Sequence, residues 1–524
     1  MNNLKRRFRL ALASLVLSVA QVSAWGSSQL AEGIILQEIA FVGATVFSES
    51  ELDRVIDAPK GQTVYIEDLL AMVDAITAHY VEAGYISSGA ILPDQNIANG
   101  KVTIEVVEGR LDQVNVVSTG RLKSAFLVSR VQADTTGPLN LKSLQKAISR
   151  LEQEPTVSHV RGDLKPGDKR GKSVLDLEVV EADAFKLLVG LDNHKSPSVG
   201  EAQGAIALQH LNLLGFNDRF DARIEHTDGI DAGSVQYDFP VAWLRSRIAV
   251  FHSQGETFVV EEPFDEIAIE SDTDTSGLRL TTTWAEGAQS AWKSHLSWEN
   301  KDSLTTLLGL PFDFSPGSSN GVTEASVAGL SVEYSRRGDG AGLSIRAGFR
   351  SGSDELDLAG RDGDFSLYQV QARWIKRLSA DPLLPAWLLN LNVNYQHSSD
   401  TLPAFERLGL GGHRTVRGYR ENQSLKDSGF IANLSISAPI LSAGANDGMA
   451  LRAEVFYDYG RGENTAEALN VDTEVELSSA GVGFSAEHRN LKIRIQKAVR
   501  LKRKVKLGDA LQDSGIHVGV TYEL

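Results

Sequence analysis

At 524 residues, with 42% apolar and 23% charged residues, the chain is too rich in hydrophobic side chains to be disordered. It is also too heavily charged to be a helical membrane bundle. A formal net charge of −16 argues against a nucleic-acid partner, and the absence of cysteine excludes both a disulfide framework and a thiolate metal site.

Residues 1–24 have the order of a signal peptide. Lys5, Arg6, Arg7 and Arg9 precede an apolar run from Leu10 to Ala20, followed by the small-x-small triplet Val22-Ser23-Ala24, which predicts cleavage before Trp25. A buried N-terminal helix would not require the basic flank and cleavage triplet in that sequence. Removal of the peptide takes the formal charge from −16 to −20. No later run of about 18 apolar residues occurs, so no transmembrane helix is expected. Membrane insertion would then require a closed barrel, which leaves no strand edge facing lipid.

From Ile34 the pattern reads strand, helix, helix, strand, strand. Ile35 to Val42 is a strand ending at Gly43, and Ser48 with Glu51 forms a capping box for a short helix. Leu69, Val73, Ile76 and Tyr80 make one apolar helical face. Gly84 ends that helix, Tyr85 to Leu92 reads as extended, Pro93 and Asn99-Gly100 turn the chain, and Lys101 to Val107 alternates as a strand. Phe47-Ser48-Glu49-Ser50-Glu51-Leu52, Tyr80 with Gly84-Tyr85-Ile86, Ile91-Leu92-Pro93-Asp94-Gln95 and Val106-Val107-Glu108-Gly109-Arg110-Leu111 resemble the first polypeptide-transport-associated (POTRA) domain of two-partner secretion transporters. These form the haemolysin secretion/activation family.

A second unit of similar size follows. Leu111 to Val117 is a strand, and Asn140 caps a helix with apolar positions Leu141, Leu144, Ile148 and Leu151. Lys165-Pro166-Gly167 is a hairpin turn, and Val174 to Val180 closes the sheet by alternation. The expected boundaries are 34–110 and 111–183. A three-stranded sheet leaves an edge that can take an extended polypeptide as an added strand, although the apolar helix faces themselves read as core.

From about Ala184 short alternating runs are separated by turns. Phe220, Ala222 and Ile224 alternate with Arg219, Asp221, Arg223 and Glu225. The same holds for Leu389, Leu391, Val393 and Tyr395 against Asn390, Asn392, Asn394 and Gln396, and for Leu491, Ile493 and Ile495 against Lys492, Arg494 and Gln496. A soluble sandwich and a lipid-facing barrel share this period. The signal peptide, the segment length and the C-terminus favour a transmembrane antiparallel β-barrel of about sixteen strands over 184–524. Leu213 to Asp218 and Arg489-Asn490 read as periplasmic turns, and Gly255 to Ser276 as a longer surface loop. The final run Val518, Val520, Tyr522 and Leu524 resembles the terminal-strand signal read by barrel-assembly machinery, with Leu524 where an aromatic residue is commoner.

Between two strands, residues 397–428 form a long connection containing Leu410-Gly411-Gly412-His413-Arg414-Thr415-Val416-Arg417-Gly418-Tyr419-Arg420. Its Val416, Arg417, Gly418 and Tyr419 resemble the loop tip that folds into the lumen of outer-membrane translocases. The glycines let the backbone turn tightly, and Tyr419 is expected against the inner wall. Phe456, Asp458 and Gly460 match the Phe-x-Asp-x-Gly wall element of the same superfamily. Arg452, Glu454, Phe456 and Asp458 share one face of their strand, so Asp458 points into the lumen with the charged set. The expected pair is Arg417 with Asp458, through two parallel hydrogen bonds, worth about 0.2 to 1 kcal/mol if the lumen is wet. The alternative is an unpaired surface Arg and a lumen Asp.

No phosphate cradle is expected at Gly409 to Gly412, since no Gly-Lys-Ser/Thr follows. Glu261, Glu262, Asp265, Glu266, Glu270, Asp272 and Asp274 read as a solvated acidic loop. Lys497, Arg500, Lys502, Arg503, Lys504 and Lys506 form a basic cluster that lipopolysaccharide phosphates would fit. Scattered histidines and the lack of a nucleophile, base or metal spacing give no catalytic residues, cofactor or metal.

The resemblance implies an outer-membrane translocase that recognises an unfolded secreted partner of haemolysin or adhesin type in the periplasm and exports it through the barrel. Outer-membrane lipid and the barrel-assembly machinery are the other implied partners. Family members also use a plug helix before the first domain; only residues 25–33 stand there, so that helix is expected to be absent. A barrel-assembly insertase of the same superfamily is the alternative. A passive porin is disfavoured by residues 34–182.

Overall fold

A computed structural model describes residues 33–524 apart from 242–244, 288, 315–317, 355–362, 379–385, 443–447, 466–472 and 503–507. The signal peptide, almost all of the 25–33 stretch, and Arg503, Lys504 and Lys506 lie outside the described residues.

The first small domain is a three-stranded sheet covered by two helices. Strand β1 (Glu38–Val42), helices α1 (Glu49–Ile56) and α2 (Ile66–Glu82), and strands β2 (Gly89–Ile91) and β3 (Lys101–Val107) follow in order. β3 is central, parallel to β1 and antiparallel to β2. Leu69, Val73, Ile76 and Tyr80 of α2 are all buried, and pack with Leu52, Ile39, Val102 and Ile104 in one core. Each such side chain contributes about 1.5 to 3 kcal/mol by leaving water. Glu51 accepts the Ser48 N–H at 2.9 Å, holding the start of α1.

Two strand limits differ from the sequence pattern. β1 begins at Glu38 because Leu36 turns fully into the core and donates its N–H to Gln62, while Ile34 and Ile35 pair with Val64 and Thr63. The stretch expected to be extended from Tyr85 is first a turn, closed by Tyr85 N–H to Tyr80 O and Ser88 N–H to Tyr85 O, and only Gly89–Ile91 joins the sheet.

The second domain has the strands β4 (Arg110–Ser118), β5 (Val157–Pro166) and β6 (Lys172–Glu181), with β6 central. It carries helices α3 (Ser124–Asp134) and α4 (Leu141–Glu152). Asn140 Oδ1 accepts from Lys142 N at 2.9 Å, as a cap should. α3 escaped the sequence reading because Ala125, Phe126, Leu127 and Val128 are consecutive and trace no narrow helical stripe.

Sixteen antiparallel strands then close into a barrel. They are β7 (Phe185–Asp192), β8 (Gln203–Leu211), β9 (Arg219–His226), β10 (Ile230–Val241), β11 (Ser246–Phe258), β12 (Ile269–Glu286), β13 (Ser290–Leu307) and β14 (Val322–Gly338). The second half comprises β15 (Ala341–Asp354), β16 (Asp364–Arg377), β17 (Leu388–His397), β18 (Ser428–Leu441), β19 (Ala450–Glu463), β20 (Glu474–His488), β21 (Leu491–Arg500) and β22 (Ile516–Glu523). Closure runs from Gly519 opposite Asp192 to Glu523 opposite Leu188.

The distribution of polarity separates a membrane barrel from a sandwich. Leu191, Ile224, Leu278, Trp298, Val455 and Val482 are exposed on the outside, whereas Glu299, Asn433, Asp458, Gln496 and His517 are buried inside. A soluble sheet would invert that arrangement.

Most of the expected surface loop Gly255 to Ser276 is strand, with Gly255 opposite Thr273, and only 259–268 connect β11 to β12. Glu270, Asp272 and Asp274 therefore stand on a strand and not in a loop. Their charges lie beyond the apolar band, so hydropathy alternation ends before the strand does.

Candidate functional site

The connection between β17 and β18 folds back into the barrel. Leu408–Leu410 pairs with Ser424–Lys426 as a short hairpin, and the turn between them carries the tip. Leu410, Val416 and Tyr419 are fully buried against Ile431, Val475 and Leu477 of the wall. Gly411, Gly412 and Gly418 have φ of +102°, +113° and +90°, the left-handed geometry that such a tight path needs.

Arg417 meets Asp458 as a bidentate pair. Its Nε donates to Oδ2 at 2.7 Å and its Nη2 to Oδ1 at 2.8 Å, while its own backbone N–H reaches Oδ2 at 3.1 Å. Nη1 donates to Glu454 at 3.1 Å, and the guanidinium lies 3.4 Å from the centroid of the Phe456 ring. Asn433 Nδ2 donates to Asp458 Oδ1 at 2.9 Å and also to the Thr415 carbonyl. The motif residues thus act as one unit: Asp458 binds the cation and Phe456 covers it. Gly460 makes room, since a Cβ there would stand 2.8 Å from Val416 Cγ2.

The next residues of the tip bind other strands. Gly418 N–H donates to His517 Nε2 on β22 at 3.0 Å, and its carbonyl accepts from Arg500 of β21. Tyr419 donates its hydroxyl to the carbonyl of Ser478 at 3.0 Å. Arg420 reaches Glu261 at 2.8 and 2.9 Å and Asp513 at 2.6 and 2.7 Å.

Two sequence expectations are corrected by this geometry, and the basic cluster gains internal partners. The Arg417–Asp458 pair is not in a wet lumen: Asp458 is fully buried and Arg417 is 6% exposed, because Val416, Tyr419 and Phe456 exclude water around them. Removal of one partner then strands a buried charge, at a cost of about 3 to 5 kcal/mol instead of a few tenths. Glu261 is no idle part of a solvated loop, since it takes Arg420. Among the described members of the basic cluster, Arg500 donates to the carbonyls of Gly418, Gln512 and Asp513, Lys497 to that of Ser514, and Lys502 lies 2.9 Å from Glu476. Each of these cations has a partner within the protein, while Lys497 and Lys502 remain exposed.

Strand parity places Glu454 on the inward face, but its role as a second acceptor needed the fold. Asn433 and His517 carry no motif; Asn433 stands on the strand that follows the loop, and His517 on the last strand, 99 residues from Gly418.

A sixteen-stranded barrel with an inward loop locked to its wall, preceded by two small α+β domains, defines the class of outer-membrane barrels that carry periplasmic transport-associated domains. A family model described as haemolysin secretion/activation protein ShlB/FhaC/HecB matches residues 171–486, and one described as POTRA domain, ShlB-type, matches residues 34–109. The chain belongs to the haemolysin secretion/activation family of two-partner secretion transporters. Its barrel lies in the outer membrane and its POTRA region in the periplasm.

The chain is 28% identical over 418 residues to the outer membrane transporter CdiB of Escherichia coli, covering 76% of this chain and 68% of that protein. It is 24% identical over 469 residues to the heme/hemopexin transporter protein HuxB of Haemophilus influenzae, covering 83% and 77%. The solved structure of CdiB from Escherichia coli shares the fold, with a TM-score of 0.68 at 20% identity over 97% of this chain and 93% of that one. The relatives are transporters and not enzymes.

Proposed function

We propose that the protein receives one unfolded secreted partner in the periplasm and passes it through the barrel to the cell surface, with Arg417 and Asp458 fixing the inward loop for that passage. The observation that carries this reading is the bidentate, buried clasp between the loop tip and the wall, at a position where the loop occupies the lumen. A loop held this firmly by paired charges needs no covalent chemistry to work as a gate or guide. The first domain supplies a receptor for extended chain: β1 and β2 are the edges of its sheet, and main-chain pairing reads little sequence. We take the second domain, within about 111–183, as a further unit of the same type, and a secreted protein of haemolysin or adhesin type as the cargo. Outer-membrane lipid around the apolar outer wall and the assembly machinery that reads β22 complete the partners.

The barrel-insertase alternative shares the architecture, but the matching family is one of secretion. A large secreted protein in the neighbouring reading frame is what this reading expects, and its coexpression with this chain is the test. Surface delivery of that protein should depend on this chain and cease with Asp458→Ala. Delivery without the chain, or insertion of unrelated barrels by it, would overturn the proposal.

A further inference from the structure

The loop touches the wall at a second place, away from the tip. Before its hairpin it makes a short turn at Ala404–Glu406, and the Glu406 carboxylate reaches β13 and β15. Oε1 accepts from Lys301 Nζ at 2.7 Å and Arg350 Nη2 at 2.9 Å, and Oε2 accepts from Arg350 Nε at 3.1 Å. Glu299 of β13 accepts from Arg350 Nη2 at 3.0 Å and lies 3.6 Å from Lys301. Two carboxylates and two cations therefore balance in a nearly dry site, where the Glu406 side chain is only 4% exposed. Leu402 and Phe405 seat the same turn on Val327, Phe365 and Leu367.

The two anchors differ in extent. At the tip, backbone N–H groups of Arg417 and Gly418 are themselves bonded to Asp458 and His517, so the main chain is part of the lock. At the arm, the Glu406 carboxylate makes the charged hold, beside neutral bonds from the Gln396 side-chain amide to the Glu406 carbonyl at 2.9 Å and from the Ser366 N–H of β16 to Asp400 Oδ2 at 2.8 Å. The arm is also joined to the far end of its own loop by Arg407 Nε, 3.1 Å from Asp427 Oδ1. The tip is thus held by a charge pair, two backbone bonds and the packed Leu410, Val416 and Tyr419, whereas the charged grip on the arm rests on one carboxylate.

We propose that Glu406 is a positioning residue for export: with Lys301, Arg350 and Glu299 it forms a releasable clasp that holds the loop's first arm across the lumen and lets go when cargo passes. This rests on the export reading above. The tip is the fixed end and the arm is the moving part.

The chain has no cysteine, so a thiol pair can be introduced cleanly. Lys301→Cys with Glu406→Cys, joined by a short reducible dithiol crosslinker in the full-length protein, should block export of the partner, and reductant should restore it. Equal export by the crosslinked and reduced forms would overturn the proposal. A cargo-free measurement stands beside it: in planar bilayers Glu406→Gln should raise the open time by about tenfold or more, since two cations are left facing one carboxylate. Glu406→Lys should do the same, and adding Lys301→Glu should return the channel toward the closed wild type, which loss of packing alone would not allow. Unchanged conductance in Glu406→Gln overturns the clasp. If the wild-type protein exports nothing, the export reading fails, and the conductance series still decides on Glu406.

Discussion

Asp458 holds Arg417 at three points, through the Nε and Nη2 of the side chain and the backbone N–H, while Glu454 takes the remaining nitrogen. One wall carboxylate therefore fixes both the charge and the main-chain path of the loop tip. Arg417→Lys should fail to export despite keeping the charge, because an ammonium cannot make the two parallel bonds. Asp458→Asn should fail as well. Both barrels should still reach the outer membrane and migrate as folded, heat-modifiable species in gels. Full export by Arg417→Lys would show that charge alone is enough.

Gly460 faces Val416 at the closest approach of tip and wall. A Cβ at 460 would stand 2.8 Å from Val416 Cγ2 and 3.0 Å from Leu410 Cδ2. Gly460→Val should push the tip off the wall and lower export, and Val416→Ala in the same chain should recover part of it. Overpacking of this kind costs about 1 to 3 kcal/mol. Lack of recovery in the double variant would separate the defect from this contact.

His517 joins the last strand to the loop tip by accepting the Gly418 N–H at 3.0 Å. His517→Ala leaves that buried N–H without its acceptor, at a cost of about 1 to 3 kcal/mol. The expected outcome is faster amide exchange at Gly418 than in the wild type, read by hydrogen-exchange mass spectrometry of the full chain, with β21 and β22 still protected. Unchanged exchange at Gly418 would show that the bond does not hold the tip.

In the first periplasmic domain, Glu108 accepts from Thr45 N–H at 2.6 Å, Val46 N–H at 2.7 Å and the Tyr80 hydroxyl at 3.0 Å. Burial pushes its carboxyl up, but the bonds from Thr45, Val46 and Tyr80 together outweigh this and hold it below the usual carboxylate range. A folded pKa below the unfolded one stabilises the domain fully above the unfolded value, and that stability is lost as the pH falls through the folded value. The Thr45 and Val46 amides should accordingly open in acid. Glu108→Gln should cost about 1 kcal/mol at neutral pH and flatten the dependence. Protection that stays constant into strong acid would contradict the assignment.

Much of the architecture was legible from the chain alone because it rests on short-range periodicity. The α2 face at Leu69, Val73, Ile76 and Tyr80 follows from helical spacing, and the inward set Arg452, Glu454, Phe456 and Asp458 follows from strand alternation. α3 was not legible, since its apolar residues run together. Nor was the reach of β12 into the acidic segment, since charge beyond the membrane band hides a strand without ending it.

By itself the sequence determined the two small domains, the barrel and the inward aim of Asp458, since alternation and parity are local properties, and the resemblance of the loop and wall motifs implied Arg417 as its partner. Only the tertiary structure decided that the pair is dry, that Glu454, Asn433 and His517 join it, and that Glu406 is caught by Lys301 and Arg350. The reason is physical. Burial and partnership depend on which strands the closed barrel brings around the loop, and Glu406 and Lys301 lie 105 residues apart in the chain.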